Sequence, residues 1–425
     1  MTAAVDWEPR EPREPREQLD VIIAGAGPAG VAAAVALCAR EPSLASRILV
    51  LDKASFPRDK PCGGGLTGHA HAALAALGLQ IRVPHVACGQ GRIVYGHRSG
   101  DVTLGRPVDV VRRRDFDADL VEQARARGVE IATGEGLVSF EVDARAGRVR
   151  IATSRGRRLT ARVLVGADGA GSRVRRALAV DDRPPLRLFQ AEVDAPSELA
   201  DLHAGRMIYD FSPMARGLRG YLWLFPVPGG RLNVGAMHTP TRKLSGAAIE
   251  ALLREGLRSY GVALPRGARG WPAWRYRASA RISAPHLLCV GDAAGIDALT
   301  GEGIAVGLEQ GPIAAAAIAA ALRSGDFGFA DYGAAVARAV VGRELRLDNR
   351  LAALLYARRG YRLWLSLMLF DRRVQALYAA RVSGSEVLAD RKRALLGALG
   401  RHAFSAPSRI AKLDRPDRWA ASRSV

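Results

Sequence analysis

Gly25, Gly27 and Gly30 stand in the spacing G-x-G-x-x-G, directly after the apolar run Val21 to Ala24. Glycines so placed serve a phosphate-bearing ligand. The first permits a tight turn, the second lets backbone approach a pyrophosphate, and the third lets helix and strand pack closely. Ala29 lies inside the turn, where the N–H groups that open a helix carry a positive partial charge. Asp52 ends the next apolar run, 22 residues after Gly30, with Lys53 beside it. A carboxylate there can accept hydrogen bonds from a ribose. The chain then returns twice to this kind of bend. Gly166-Ala167-Asp168-Gly169 and Gly291-Asp292-Ala293-Ala294-Gly295 each set one carboxylate in a glycine-rich turn after an apolar run. One such unit can be a plain turn. Two of them with G-x-G-x-x-G form a dinucleotide constellation, although the first motif alone does not separate FAD from NAD.

Other residues bear on chemistry more locally. Cys62, followed by Gly63, Gly64 and Gly65, gives a loop with no bulk beyond one thiol, able to approach a flat ring. A lone cysteine is more often a small packing residue, and Cys38, Cys88 and Cys289 take that reading. Tyr221 and Trp223 alternate along a strand and Phe225 continues their face, as cavity lining or as plain core. Thr300-Gly301-Glu302-Gly303-Ile304 opens a long helix, either as a simple start or with its N–H groups turned to an anionic ring. Glu302 is equally structural or chemical. His69 and His71 show no carboxylate partner and are assigned no role.

These residues need elements to position them. The charged proline repeat within residues 1–18 reads as a disordered leader. Apolar runs followed by glycine-rich turns and helices give an α/β fold, with a Rossmann-type FAD-binding domain at 19–183 and 278–325. Within it, residues 137–165 alternate as a β-meander. Short alternating runs at 184–277 read as an inserted antiparallel-sheet substrate domain. Residues 326–425 read as helical. Pro312 is expected to kink or split the helix that follows Ile304. No stretch is read as a membrane span.

The net charge is +20, and residues 341–425 carry 18 Lys and Arg against 7 Asp and Glu. Nucleic acid or an anionic membrane face would both suit this surplus, and so would an Arg-rich compositional bias. Few aromatics and no nucleic-acid motif favour the membrane and exclude nucleic acid as the expected partner. The run YRLWLSLMLF at 361–370, flanked by arginine pairs at 358–359 and 372–373, reads as an interfacial helix or an ordinary buried one. Four cysteines without paired spacing point to a reduced, cytoplasmic protein.

Together the three glycine bends resemble the flavoproteins with the para-hydroxybenzoate hydroxylase fold. Lys60-Pro61-Cys62-Gly63-Gly64-Gly65-Leu66 and Gly220-Tyr221-Leu222-Trp223-Leu224-Phe225-Pro226 are similar to the CGGG and Y-x-W-x-F-P segments of the geranylgeranyl reductase family. The likeness runs from about 19 to 325, with Ala298 where the family usually has proline before the G-E-G turn. It implies FAD held by Gly25, Gly27, Ala29, Gly30, Asp52, Lys53, Cys62, Gly63, Gly64, Asp168, Gly169, Asp292, Gly301, Gly303 and Ile304. Arg113 matches the family's R-x-x-F-D pattern and is assigned to the cofactor, with Arg112 and Arg114 as neighbours in register. Cys62, Tyr221 and Trp223 are implied as catalytic. The implied reaction saturates C=C bonds of a prenyl chain on a lipid or small molecule, hydride from the reduced flavin going to one carbon and a proton to the other. A transition state with cationic character suits a dry, aromatic-lined cavity. With one G-x-G-x-x-G in the chain, NADPH is expected as a transient reductant. The rival reading is an oxygen-using monooxygenase or halogenase of the same fold. A flavin-carrying partner without turnover is the third.

Overall fold

The computed structural model describes residues 18–178, 185–199, 205–239, 244–265, 268–357 and 360–397, with 400 and 413 besides. The leader at 1–17, the arginines at 358 and 359 and most of the chain past 397 lie outside the described residues.

Two sheets organise the molecule. In the first, strand Gln18–Ala24 lies between Arg158–Gly166 and Ile48–Asp52, and Glu130–Thr133 and Leu287–Cys289 extend it, all in parallel. Leu137–Asp143 and Arg148–Thr153 join its Arg158–Gly166 strand as the expected meander. Val21 to Ala24 are buried because the sheet is covered on both faces. Helix Pro28–Arg40 packs on it and meets helix Ile304–Ser324. That contact is intimate: a Cβ on Gly311 would lie 2.6 Å from Ala32 Cβ, and one on Gly307 3.0 Å from Ala29 Cβ. Small residues on both helices permit it.

This pairing corrects two expectations. Ile304–Ser324 runs through Pro312 unbroken, because packing along its length outweighs the one backbone bond that proline removes. The same helix is long and apolar enough to cross a membrane, contrary to the sequence reading. Most of its apolar window is buried within the protein, as in a core helix.

The second sheet runs Arg269–Ala273, Leu186–Asp194, Arg231–His238, Leu222–Val227, Arg206–Asp210, His85–Tyr95, Arg98–Val111, Gly65–Leu66. All neighbours are antiparallel except Arg206–Asp210 with His85–Tyr95. A sheet domain confined to 184–277 is therefore corrected, since residues 65–111 supply three of its strands. The hairpin 85–111 has one apolar face to bury, with Ile93, Val102 and Val110 on it, and the sheet with its helical cover provides the place. Helix Gly246–Arg258 covers one face through Ile249, Leu253 and Leu257 against Leu222 and Leu224. Tyr221, Trp223 and Phe225 face the other side, as their alternation predicts, together with helices Val340–Leu355, Tyr361–Phe370 and Arg372–Val382. Tyr361–Phe370 is mostly buried there.

Candidate functional site

The glycine bends meet at the carboxyl ends of the parallel strands, where open α/β sheets bind ligands. Gly25 takes φ +113°, and a Cβ there would lie 2.2 Å from the Ala167 carbonyl oxygen. A Cβ on Gly30 would lie 1.9 Å from the Gly25 carbonyl oxygen. The first glycine is thus required by conformation and the third by contact. Asp52 fixes the turn from the next strand. Its Oδ2 accepts from Ala26 N–H at 2.9 Å and its Oδ1 from Ala54 N–H at 2.9 Å. No side chain caps helix Pro28–Arg40, so the N–H groups of its first turn are left for a ligand.

Between the two sheets lies a cleft of about 790 Å³. Every site residue expected from sequence borders it except Gly30, which acts one layer behind by letting the turn close. Asp168 donates the clearest sign of an unseen partner. Its Oδ2 accepts from Arg173 N–H at 2.8 Å, while its Oδ1 is buried with no hydrogen-bond partner. Burial pushes this carboxyl above the usual carboxylate range, against the Ser172 hydroxyl and Arg173 N–H. Asp292 meets Lys60 Nζ at 3.4 Å, and that ammonium also sits 4.9 Å from the centre of the Trp271 ring. Arg113 makes a two-point bond to buried Asp117, Nε to Oδ1 at 2.7 Å and Nη2 to Oδ2 at 2.8 Å. Arg58 adds a third contact to Asp117 at 3.0 Å. Burial opposes the Arg113 charge, but Asp117 and the nearby Cys62 thiol more than offset it and keep the guanidinium strongly basic.

The far wall is aromatic. The Tyr209 ring lies 5.1 Å from Phe225 and 5.5 Å from Tyr221, and Tyr221 lies 6.3 Å from Trp223. Against this wall sits the Cys62 loop: a Cβ on Gly63 would be 3.0 Å from the Phe225 ring and 3.8 Å from Trp223 Nε1. Asn233 locks the two together. Its Oδ1 accepts from Trp223 Nε1 at 2.9 Å and its Nδ2 donates to the Cys62 carbonyl at 2.6 Å. The Tyr221 hydroxyl donates to the Thr300 carbonyl, so it too is a fixed part of the wall. Cys38, Cys88 and Cys289 are buried away from the cleft; burial pushes the Cys88 thiol up to about 12. They are packing residues.

The Thr300–Ile304 turn is built by Asp297, whose carboxylate accepts from Leu299 N–H, Thr300 N–H and the Thr300 hydroxyl. Gly303 then opens helix Ile304–Ser324 with no side-chain cap. Glu302 accepts from the Thr67 hydroxyl and meets Arg381 at 3.5 Å. Arg381 is buried and also binds Glu344 and Asp348. Three carboxylates share one guanidinium. Asp348 is wholly buried, its Oδ1 has no hydrogen-bond partner, and burial drives its carboxyl well above the usual range although Arg381 opposes this. The histidine expectation is corrected. His69 Nδ1 lies 3.3 Å from Glu309 and His71 Nε2 3.1 Å from Asp109. The Glu309 hydrogen bond raises the His69 pKa, whereas burial lowers that of His71.

Sequence reasoning missed Asn233, Asp297 and Arg381. A single amide within the apolar run RLNVGAM was a readable signal for Asn233. Arg381 gave none, since its partners lie on two other elements, helix Val340–Leu355 and the turn before Ile304.

The cleft therefore offers a glycine cradle with free N–H groups and one buried carboxylate oxygen without a partner at one end, and a close aromatic wall at the other. A dinucleotide bearing a flat ring system fits both. A model of the FAD binding domain matches residues 18–341. The menaquinone reductase of Mycobacterium tuberculosis is 32% identical over 325 residues, covering 70% of this chain and 75% of that protein. The geranylgeranyl diphosphate reductase of Rhodobacter capsulatus is 27% identical over 337 residues, covering 72% and 76%. Among solved structures, a geranylgeranyl bacteriochlorophyll reductase-like protein of Thermoplasma acidophilum matches with a TM-score of 0.63 at 20% identity, over 93% of this chain and 99% of that one. The resemblance carried by residues 60–66 and 220–226 is borne out by these relatives. By its cradle and by these matches, the chain belongs to the FAD binding domain family and is an FAD-dependent oxidoreductase.

Proposed function

We propose that this oxidoreductase saturates a C=C bond in the prenyl chain of a lipid, with a prenylated quinone as the first candidate. One observation carries the reading. The Cys62 loop and the strand bearing Tyr221, Trp223 and Phe225, some 160 residues apart, form a single wall through Asn233. FAD, reduced by NADPH or another donor, would supply hydride. Gly25, Gly27, Ala29 and Gly30 would take its pyrophosphate, Asp52 with Lys53 its ribose side, and Asp168, Gly169 and Asp292 the middle of the dinucleotide. Gly63, Gly64, Gly301, Gly303, Ile304 and Arg113 would border the ring.

An isolated alkene is not polarised, so protonation at one carbon must accompany hydride delivery at the other. Tyr209, Tyr221, Trp223 and Phe225 present ring faces that exclude water and favour the developing positive charge. Cys62 lines the same space and would steer the chain. The menaquinone and geranylgeranyl diphosphate reductases support a prenyl substrate, and four unpaired cysteines fit a reducing, cytoplasmic setting.

The test is anaerobic turnover of purified enzyme with dithionite and either menaquinone or geranylgeranyl diphosphate. A product that keeps two extra hydrogens in its prenyl chain after the quinone ring has been reoxidised in air, with flavin reoxidation by geranylgeranyl diphosphate, which has no quinone ring, is expected. A strict requirement for dioxygen would replace this reading with the monooxygenase or halogenase one, and no reoxidation with either substrate would leave a carrier without turnover.

A further inference from the structure

The aromatic wall has a second side. Tyr209, Tyr221 and Tyr378 border the cofactor cleft and also a smaller cavity of about 70 Å³, whose lining is almost wholly apolar. Helix Val340–Leu355 contributes Leu351 and Leu355 to it, and Leu388 and Leu395 complete its lining. Among the described residues four large hydrophobic side chains are exposed, and three of them, Val340, Leu354 and Leu396, lie on the chain segments that supply this lining. Leu396 is 65% exposed and Leu354 49%. Each stands next in sequence to a residue of the cavity lining, Leu395 and Leu355. Arg350, Lys392 and Arg393 are exposed in the same two segments.

Isolated apolar side chains on a surface mean little. Here they coincide with an apolar cavity lined from the same segments, with basic residues in those segments and with a C-terminal stretch, 341–425, in which Lys and Arg outnumber Asp and Glu by 18 to 7. We propose that this end of the molecule docks on an anionic lipid bilayer, Leu354 and Leu396 entering the interface and Arg350, Lys392 and Arg393 meeting the headgroups. The small cavity then faces the bilayer, on the side from which a prenyl chain would come; this last clause rests on the function proposed above, whereas the docking does not. Bilayer rather than protein is the partner because the apolar pair is small and the exposed Arg350, Lys392 and Arg393 beside it outnumber the exposed Asp390, which suits a fluid anionic surface.

The experiment is sedimentation of the full-length, flavin-loaded protein with vesicles of phosphatidylglycerol and phosphatidylcholine, and with vesicles of phosphatidylcholine alone. Wild type should bind the mixed vesicles, lose binding with salt, and bind the zwitterionic ones weakly. Replacing Arg350, Lys392 and Arg393 together by Glu should weaken binding on the order of 100-fold. Leu354→Ser with Leu396→Ser should also weaken it while preserving its salt dependence. Val138→Ser, at an exposed hydrophobic residue of the first sheet, should leave it unchanged. Flavin content and melting temperature confirm that each variant folds, and the leucine pair stands as an independent arm if the charge variant does not. Equal binding by wild type and both surface variants overturns the proposal, as does equal binding to both vesicle types. Vesicle binding as expected with no prenyl turnover would remove the function and keep the surface. Turnover without vesicle binding would do the reverse.

Discussion

Asn233 joins Trp223 and the Cys62 carbonyl inside the wall of the cleft. Asn233→Leu keeps the volume and strands one buried donor, Trp223 Nε1, and one part-buried acceptor, the Cys62 carbonyl. The expected cost is about 1–3 kcal/mol in stability, with turnover lost more than flavin, because the wall and not the cradle is disturbed. Thermal melts beside single-turnover rates check this; wild-type rates in the variant would show that the link does not position the loop. Gly30→Ala acts at the other end. Its methyl carbon would sit 1.9 Å from the Gly25 carbonyl oxygen, so the turn must open and the protein should purify colourless. Gly89→Ala, where a Cβ meets nothing within 4 Å, should stay yellow. The two residues also mark what a sequence can tell. Gly30 was legible because its requirement is local, written in the spacing of its neighbours. Asn233 binds residues 10 and 171 positions away, and only the folded topology says which.

Elements were legible in kind but not in company. The buried strands, the glycine turns and the long helix after Ile304 follow from apolar runs and their punctuation. That hairpin 85–111 belongs to the second sheet does not, because alternation says that a strand has one face to bury and not which sheet will bury it. The split thought open at Pro312 does not occur for a similar reason, since propensity is a local term and packing a tertiary one. The packing can be measured. Gly311→Leu would set a Cβ 2.6 Å from Ala32 Cβ and from Ala33 N, forcing apart the helices Pro28–Arg40 and Ile304–Ser324. Overpacking of this kind costs about 1–3 kcal/mol. Because the first helix carries the glycine cradle at its start, flavin should dissociate faster as well as the protein melting earlier. A lower melting temperature with unchanged flavin release would mean that the cradle does not depend on this contact.

At the scale of the molecule the Arg381 cluster ties helices Val340–Leu355 and Arg372–Val382 to the turn before Ile304. His69, Asp297 and Tyr378 also act on its charges. Burial raises the Asp348 carboxyl above its unfolded value, so its protonated form is favoured by folding. Its contribution is then complete below the ordinary carboxylate range, near about pH 4, and drains away as pH rises through the raised value. Asp348→Asn cannot ionise, and its melting temperature should gain on the wild type as pH increases. Parallel profiles for the two proteins would contradict the assignment. Arg381 and Tyr378 bring helix Arg372–Val382 to the rim of the cofactor cleft, whose other rims come from earlier parts of the chain, Ala24 to Ile304. Translation makes these rims in a fixed order. At about 5–20 residues per second, Arg381 leaves the ribosome roughly 4–15 s after Ile304 completes the cradle. For that interval the nascent chain carries the cradle residues without the wall that holds Tyr378 and Arg381, which gives the prosthetic group one more side from which to enter.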